Sequence, residues 1–239
     1  MNAESTIPAS CFDMLRQLAA NNTREWFAVN KEAYLEQRAY IEAFADAMLM
    51  KLNSHDLIET PNGKRSLYRI HRDVRFSKDK TPFSTYWGGR FKRAGKQRRG
   101  GYYFHFEPGD KSFILCGFWA PNPADLKRIR DDIAFDAAPM RAILNHKDIA
   151  GVFTLDGLIA GVFTLEGEKL KTTPKGFEAD HEAIDLLRYK QFLLIHRFTD
   201  AEVLHPGFLH QTDQTLRSMR PFLNYMSEVL AGDENGEVG

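Results

Sequence analysis

The spacing of apolar residues changes period around Pro61-Asn62-Gly63, and that change limits the folds open to this chain. Before it, Trp26, Phe27, Tyr34, Ile41, Phe44, Met48 and Leu52 recur at three- and four-residue steps, the repeat of an amphipathic helix. After it the alternation has period two. Tyr68, Ile70, Arg72, Val74 and Phe76 fall on one face of a predicted strand, and Arg69, His71, Asp73 and Arg75 on the other. Further strand-like runs cover 85–92, 101–107 and 112–119, and Pro108-Gly109-Asp110 predicts a hairpin between the last two. Consecutive strands joined by short turns pair antiparallel. Helices are expected at 124–133, 139–146, 181–188 and 207–230, with a strand at 191–197. The predicted class is α+β: an antiparallel sheet of about five strands packed against helices from both chain ends.

No linker divides the chain, so residues 10–231 read as a single domain, with a flexible stretch at 1–9 and a disordered acidic tail at 232–239. Ser10, with Asp13 three residues on, predicts a helix start; Thr23 predicts the next, a long helix that could break near Asn30. A tandem GVFTLDG and GVFTLEG, at 151–157 and 161–167, is too short for a repeat architecture and reads as one hairpin or an expanded loop. The 18 phenylalanines promise an aromatic interior. Cys11 and Cys116 lack metal or redox spacing and read as reduced thiols. Residues 1–10 carry no charged start followed by an apolar run, and no stretch approaches the roughly 18 apolar residues of a membrane helix. The chain is therefore expected in the cytoplasm, with no membrane partner.

Charge is unevenly spread. Thirty-two basic and 32 acidic residues cancel, yet 64–99 holds 13 Lys/Arg against Asp73 and Asp79, a local net charge of 13 − 2 = +11. Such a stretch holds an anion or is neutralised by the chain's own acids. Arg72 is the odd member, because the alternation puts its guanidinium on the apolar face, where it needs a carboxylate or a bound anion. Arg69 and Arg75 share the opposite face, and Asp73 stands where it can hold their forks. Ser77, Lys78 and Lys80 lead toward Pro82 in a turn suited to phosphate oxygens. Lys175, in Pro174-Lys175-Gly176, offers another cation at a turn. Tyr103, His105 and Glu107 share one strand face, with Tyr103 a further ligand-binding candidate. His105 and Asp73 are the candidate catalytic residues, His105 for proton transfer and Asp73 for orienting the arginines.

Three readings of the basic segment stay open. It is a salt-bridged structural edge, a pocket for a small phosphorylated or carboxylated ligand, or a nucleic-acid surface. The last draws on Arg90, Lys92, Arg93, Lys96, Arg98 and Arg99 interleaved with Trp87, Phe91, Tyr102 and Tyr103, a pattern that suits stacked bases and neutralised phosphates. The partner is thus an anionic small molecule or a nucleic acid. Several signatures are absent. His71-Arg72-Asp73 lacks the later Asn and Asp-Phe-Gly of a kinase loop. His105-Phe106-Glu107 lacks the Pro-Cys-x-x-Cys of a zinc deaminase, so no metal site is expected. With no phosphate loop or dinucleotide fingerprint, no cofactor is expected either.

Three stretches together resemble a known family. They are Asn21-Asn-Thr-Arg-Glu-Trp-Phe27 with Asn30, Lys31 and Tyr34; Arg72-Asp-Val-Arg-Phe-Ser-Lys-Asp-Lys-Thr-Pro82; and Pro174-Lys-Gly-Phe177. The family is the bacterial and fungal domain of unknown function 2461, and the similarity runs from about residue 11 to 230. It implies a cytoplasmic single-domain protein whose signature includes Arg72, Asp73, Arg75, Phe76, Lys78, Asp79, Lys80 and Pro82. It implies no particular activity, cofactor or catalytic residue, and the tandem GVFTL segment has no counterpart in its pattern.

Overall fold

A computed structural model of the chain describes residues 5–145, 154–155, 158–159 and 164–231. It is α+β. The main sheet is antiparallel and has the strand order β1-β2-β3-β7-β6, built from β1 (Trp87–Lys92), β2 (Gly101–Phe106), β3 (Ser112–Phe118), β6 (Thr164–Glu166) and β7 (Phe192–Phe198). The chain forms two compact units, and β1, β2, β3 and β7 each give residues to both.

The first unit takes Met1–Phe91, Tyr103–Ile114 and Arg197–Thr215. Ile7 is buried just ahead of α1 (Ala9–Ala20). Ser10 does not cap that helix. Pro8 holds the cap position, and Ser10 lies inside the first turn, its hydroxyl donating to Gln37 Oε1 at 2.7 Å. Thr23 does cap α2 (Arg24–Asn53), accepting from the Trp26 amide. No break occurs at Asn30, whose amide donates back to the Trp26 carbonyl at 2.9 Å while the helix continues. Its apolar stripe packs on the sheet. Tyr34 stacks on Trp87 at 4.9 Å, and Phe44 meets Phe106 edge-on at 5.8 Å. From the other end of the chain, Phe208 opens α8 (Phe208–Ala231) and stacks on Phe44 at 5.5 Å. Burying several aromatic rings together contributes through area and ring geometry alike. A short helix, α3 (Gly63–Ser66), replaces the turn expected at Pro61-Asn62-Gly63, because the Asn62 side chain caps it by accepting from the Arg65 amide. The hairpin between β2 and β3 is as expected. Its turn amides, Gly109 and Asp110, both donate to Asp200 at 3.0 Å, on the four-residue α7 (Asp200–Val203).

The second unit takes Lys92–Tyr102, Leu115–His196 and Leu216–Gly239. Asn122 caps α4 (Pro123–Phe135), and α5 (Ala138–Asn145) and the short α6 (Ile184–Leu187) follow. Arg130 of α4 donates to the carbonyls of Leu187 and Tyr189, at 2.8 and 2.9 Å. The two GVFTL copies do different jobs. Thr154-Leu155 of the first (β4) pairs antiparallel with Leu158-Ile159 (β5), whereas Thr164–Glu166 of the second joins β7. The rest of 146–163 and the acidic tail 232–239 lie outside the described residues.

Candidate functional site

The basic stretch after α3 is not the strand that its alternation predicts. It makes only isolated bridges, Leu67 to Gly89 and His71 to Phe83, and otherwise runs as irregular loop. The expected apolar face therefore does not exist: Phe76 is 95 % exposed and Tyr68 46 %. The aspartates are the physical reason, since they fold the chain onto itself where a partner strand would have to pair. Asp73 accepts from the Arg75 amide at 3.2 Å and grips its guanidinium at 2.7–2.9 Å. Arg72 sits half-buried among polar partners, not on an apolar face. Its Nη1 donates to Asp79 at 2.6 Å, to the Thr81 carbonyl at 3.1 Å and to the Thr81 hydroxyl. Asp79 also accepts from the Thr81 amide, and these bonds pull its carboxyl down to about 2. Lys80 donates to the Val74 carbonyl at 2.9 Å, and the Ser77 amide donates to the same carbonyl. Arg72, Arg75 and Lys80 are thus occupied in bracing their own loop. Lys78 and Arg69 have no carboxylate partner among the described residues.

A different arrangement stands on β2 and the residue that follows it. Tyr103, His105 and Glu107 face the same way, as a pleated strand requires. The Tyr103 hydroxyl lies 3.0 Å from His105 Nδ1, and Nε2 lies 2.8 Å from Glu107 Oε2. Lys111 donates to the other Glu107 oxygen at 3.2 Å. The imidazole is sandwiched between Tyr86, stacked at 4.1 Å, and Phe113, stacked at 4.7 Å, and His105 is only 9 % exposed. An ionised carboxylate only accepts, so Nε2 carries the ring proton and Nδ1 keeps its lone pair for the Tyr103 O–H. Burial pushes the His105 pKa down and outweighs the opposing pull of Glu107, so the ring is neutral near neutral pH. Burial, with Tyr86, Tyr68 and Glu107 nearby, pushes the Tyr103 phenol up, keeping it protonated.

Beside this chain lies a shallow, open hollow with a cavity volume of only about 10 Å³, whose lining includes Tyr34, Arg38, Tyr68, Arg69, Tyr86 and Gly88. It shares walls with the histidine: Tyr86 covers His105, and Tyr68 packs 5.8 Å from Tyr103. Gly88 is needed here, because a Cβ on it would stand 2.7 Å from the Tyr86 ring and 3.3 Å from the Tyr103 hydroxyl. Arg38 is held at the hollow by Glu42, at 2.9 Å, and reaches the Tyr68 carbonyl at 3.4 Å. Arg69 lines it unpaired. Arg90, exposed on β1, bears electrostatically on the Tyr68 hydroxyl and likewise lacks a carboxylate partner among the described residues. Sequence reasoning did not single out Arg38, Tyr86 or Phe113 for this site. They come from α2, the segment just before β1, and β3, and no local spacing links them.

The remaining candidates lie elsewhere. Lys175 is exposed at a turn of the second unit, closed by the Phe177 amide on the Pro174 carbonyl. Of the four rings expected to stack on nucleic acid, Trp87, Phe91 and Tyr102 are buried and Tyr103 is half-buried. Arg93 is buried too, donating to the Leu223 carbonyl, Ser227 and Asn224 of α8, and Arg99 pairs with Asp125. Among the described residues no three His, Cys, Asp or Glu side chains stand where they could hold a metal ion. None of the described helices is long and apolar enough to cross a membrane.

These features define an α+β protein with a tyrosine–histidine–glutamate chain beside an arginine-lined hollow. It belongs to the family described as Conserved hypothetical protein (DUF2461), which it matches over residues 10–225. No curated protein and no solved structure is significantly similar to it.

Proposed function

We propose that this protein binds a small anionic ligand, phosphorylated or carboxylated, on the open surface over the shallow hollow lined by Arg38, Tyr68, Arg69 and Tyr86. Arg69 and Arg90 supply the charge. The reading rests on one contrast. Arg72 and Arg75 are matched by Asp79 and Asp73, whereas Arg69, on the hollow's lining, and Arg90, beside Tyr68, have no carboxylate partner among the described residues. Unpaired guanidinium groups next to phenol hydroxyls suit the charge-assisted, forked bonds that carboxylates and phosphates accept. Its place is the cytoplasm, where the buried free thiols Cys11 and Cys116 would stay reduced.

The test is a thermal-shift screen with inorganic phosphate, sugar phosphates, nucleotides, and mono- and dicarboxylates. A ligand at a hundred times its Kd adds about 2.7 kcal/mol, equivalent to roughly 5–11 °C in Tm for a chain of this size. At least one probe should shift Tm. Arg69→Gln and Arg90→Gln should each remove most of that shift, while Arg72→Gln keeps it from a lowered baseline. The reading fails if no probe stabilises the protein, or if the shift survives Arg69→Gln and disappears with Arg72→Gln.

A further inference from the structure

Residues 67–83 form no regular strand, yet they fold back on themselves as a finger. The Tyr68 amide donates to the Gly88 carbonyl, the Ser84 amide to the Ile70 carbonyl and the Arg72 amide to the Pro82 carbonyl, at 2.8–3.0 Å. These antiparallel contacts join two limbs and leave 73–81 as the tip. The tip is stiff, because Arg72 is bonded to Asp79, Arg75 to Asp73, and Lys80 to the Val74 carbonyl. Its one aromatic ring nevertheless packs against no core: Phe76 is 95 % exposed, the most exposed large apolar side chain among the described residues. Arg75 lies over that ring, 5.9 Å from its centroid. A ring presented on a braced loop loses little freedom when a partner stacks on it.

The second exposed ring of the basic segment is Tyr68, at the finger's base beside exposed Arg69. Lys78 and Lys80 are exposed at the tip, and neither they nor Arg69 have a carboxylate partner among the described residues. The limb 68–72 covers roughly 13 Å at about 3.3 Å per extended residue. A ligand that touches both rings is therefore a chain of several units, with negative charge along it and flat faces to stack.

We propose that the finger is a binding site for single-stranded nucleic acid, with bases stacked on Phe76 and Tyr68 and phosphodiesters paired with Arg69, Lys78 and Lys80. This goes beyond the small-ligand reading, since Phe76 and both lysines lie outside the hollow's lining. A duplex keeps its base faces stacked on one another and leaves the rings idle, whereas an unpaired strand offers both faces and phosphates. An anionic bilayer would take several apolar side chains at the tip, where Val74 is half-buried and Phe76 stands alone.

The experiment measures fluorescence anisotropy of labelled 12-nucleotide oligo(U) and oligo(dT) with the full-length protein, from 20 to 200 mM salt. Both strands should bind, and the plot of log K against log salt should fall with a slope of about −2, roughly −0.7 for each of three phosphates. Phe76→Ala should weaken binding about 5- to 150-fold, the range that stacking one base spans, with Tm unchanged and Phe76→Trp restoring affinity. Lys78→Gln should make the slope shallower by about 0.7. Lys127→Ala, in the other unit, serves as the unaltered control. The proposal is overturned if neither strand binds at 20 mM salt, if Phe76→Ala binds as wild type does, if a 12-base-pair duplex or poly-glutamate binds as tightly, or if the protein prefers phosphatidylserine vesicles to the strands. Phe76→Ala should keep any Tm shift by phosphate or carboxylate probes, so loss of the finger site leaves the small-ligand reading standing. Strand binding without any such shift removes that reading and leaves the finger.

Discussion

At His105 two influences oppose each other: burial between two rings favours the neutral imidazole, and Glu107 favours the charged one. Burial prevails. In the unfolded chain a histidine takes up its proton near pH ~6.5, whereas the folded ring resists until the pH is lower. The unfolded state therefore binds more protons as the pH drops below that value, and His105 lowers stability there while costing nothing above it. Urea unfolding should give a lower midpoint at pH 5.5 than at pH 7.5, and His105→Gln should flatten part of that difference. An unchanged slope in the variant would assign the effect to other groups. Asp79 behaves with the opposite dependence. Its folded carboxyl titrates at about 2, below the ordinary value, because the Thr81 amide and Arg72 stabilise the anion. The loop clasp should be complete above pH ~4 and open as the pH falls toward 2. Faster exchange of the Thr81 amide over that window would report it; an amide indifferent to pH would show that Asp79 does not hold the loop. The spacing of Tyr103, His105 and Glu107 on one strand face was legible from alternation alone. The rings that enclose the imidazole were not, because Tyr86 precedes β1 and Phe113 belongs to β3.

The helices were the most legible elements, since a periodic stripe and a capping side chain are local signals. Thr23 marks the start of α2 in the sequence; Asn122, which sequence reasoning did not single out, starts α4 by the same bond, a side-chain oxygen accepting from an amide three residues on. The segment 67–83 misled for an equally physical reason. Period-two alternation is necessary for a strand but needs a paired neighbour, and here Asp73 and Asp79 bond to the chain's own amides and arginines before one can form. The short α3 was hidden because its decisive feature is a close approach across sequence. Gly63 donates its amide to Asp46 at 2.6 Å, and a Cβ there would lie 2.3 Å from the Glu42 carbonyl oxygen and 2.5 Å from the Asp46 nitrogen. Both are backbone atoms of α2 and cannot rotate away. Gly63→Ala should therefore cost roughly 1–3 kcal/mol and lower Tm by several degrees in calorimetry, with the circular-dichroism spectrum retained. A neutral substitution would mean that α3 does not pack as tightly as its geometry requires.

Over the whole molecule, zero net charge conceals a separation that persists in the fold. The acidic face of α2 does not neutralise the basic segment: Glu42 pairs with Arg38 of its own helix, and Asp46 is committed to the Gly63 amide. Residues 64–91, all in the first unit, hold eight basic and two acidic side chains, a balance of 8 − 2 = +6. Both acids are spent on Arg72 and Arg75, so Lys64, Arg65, Arg69, Lys78, Lys80 and Arg90 remain uncompensated as a local positive field, with Arg69 on the hollow's lining and Arg90 bearing on Tyr68. Fields of this kind act on approach more than on residence, because a ligand feels them over roughly a Debye length, ~30 Å at 10 mM salt and ~8 Å at 150 mM. For an anionic ligand over the hollow, the association rate measured by stopped flow should fall several-fold between those two salt concentrations, while the dissociation rate changes much less. Arg90→Gln should flatten the dependence, since it removes an unpaired cation without breaking a salt bridge. Lys127→Ala should leave it unaltered, because that lysine is already paired with Asp131. If the association rate were indifferent to salt, the positive field would not steer the ligand, and recognition would have to come from the short-range hydrogen bonds of Tyr68 and Arg69 alone.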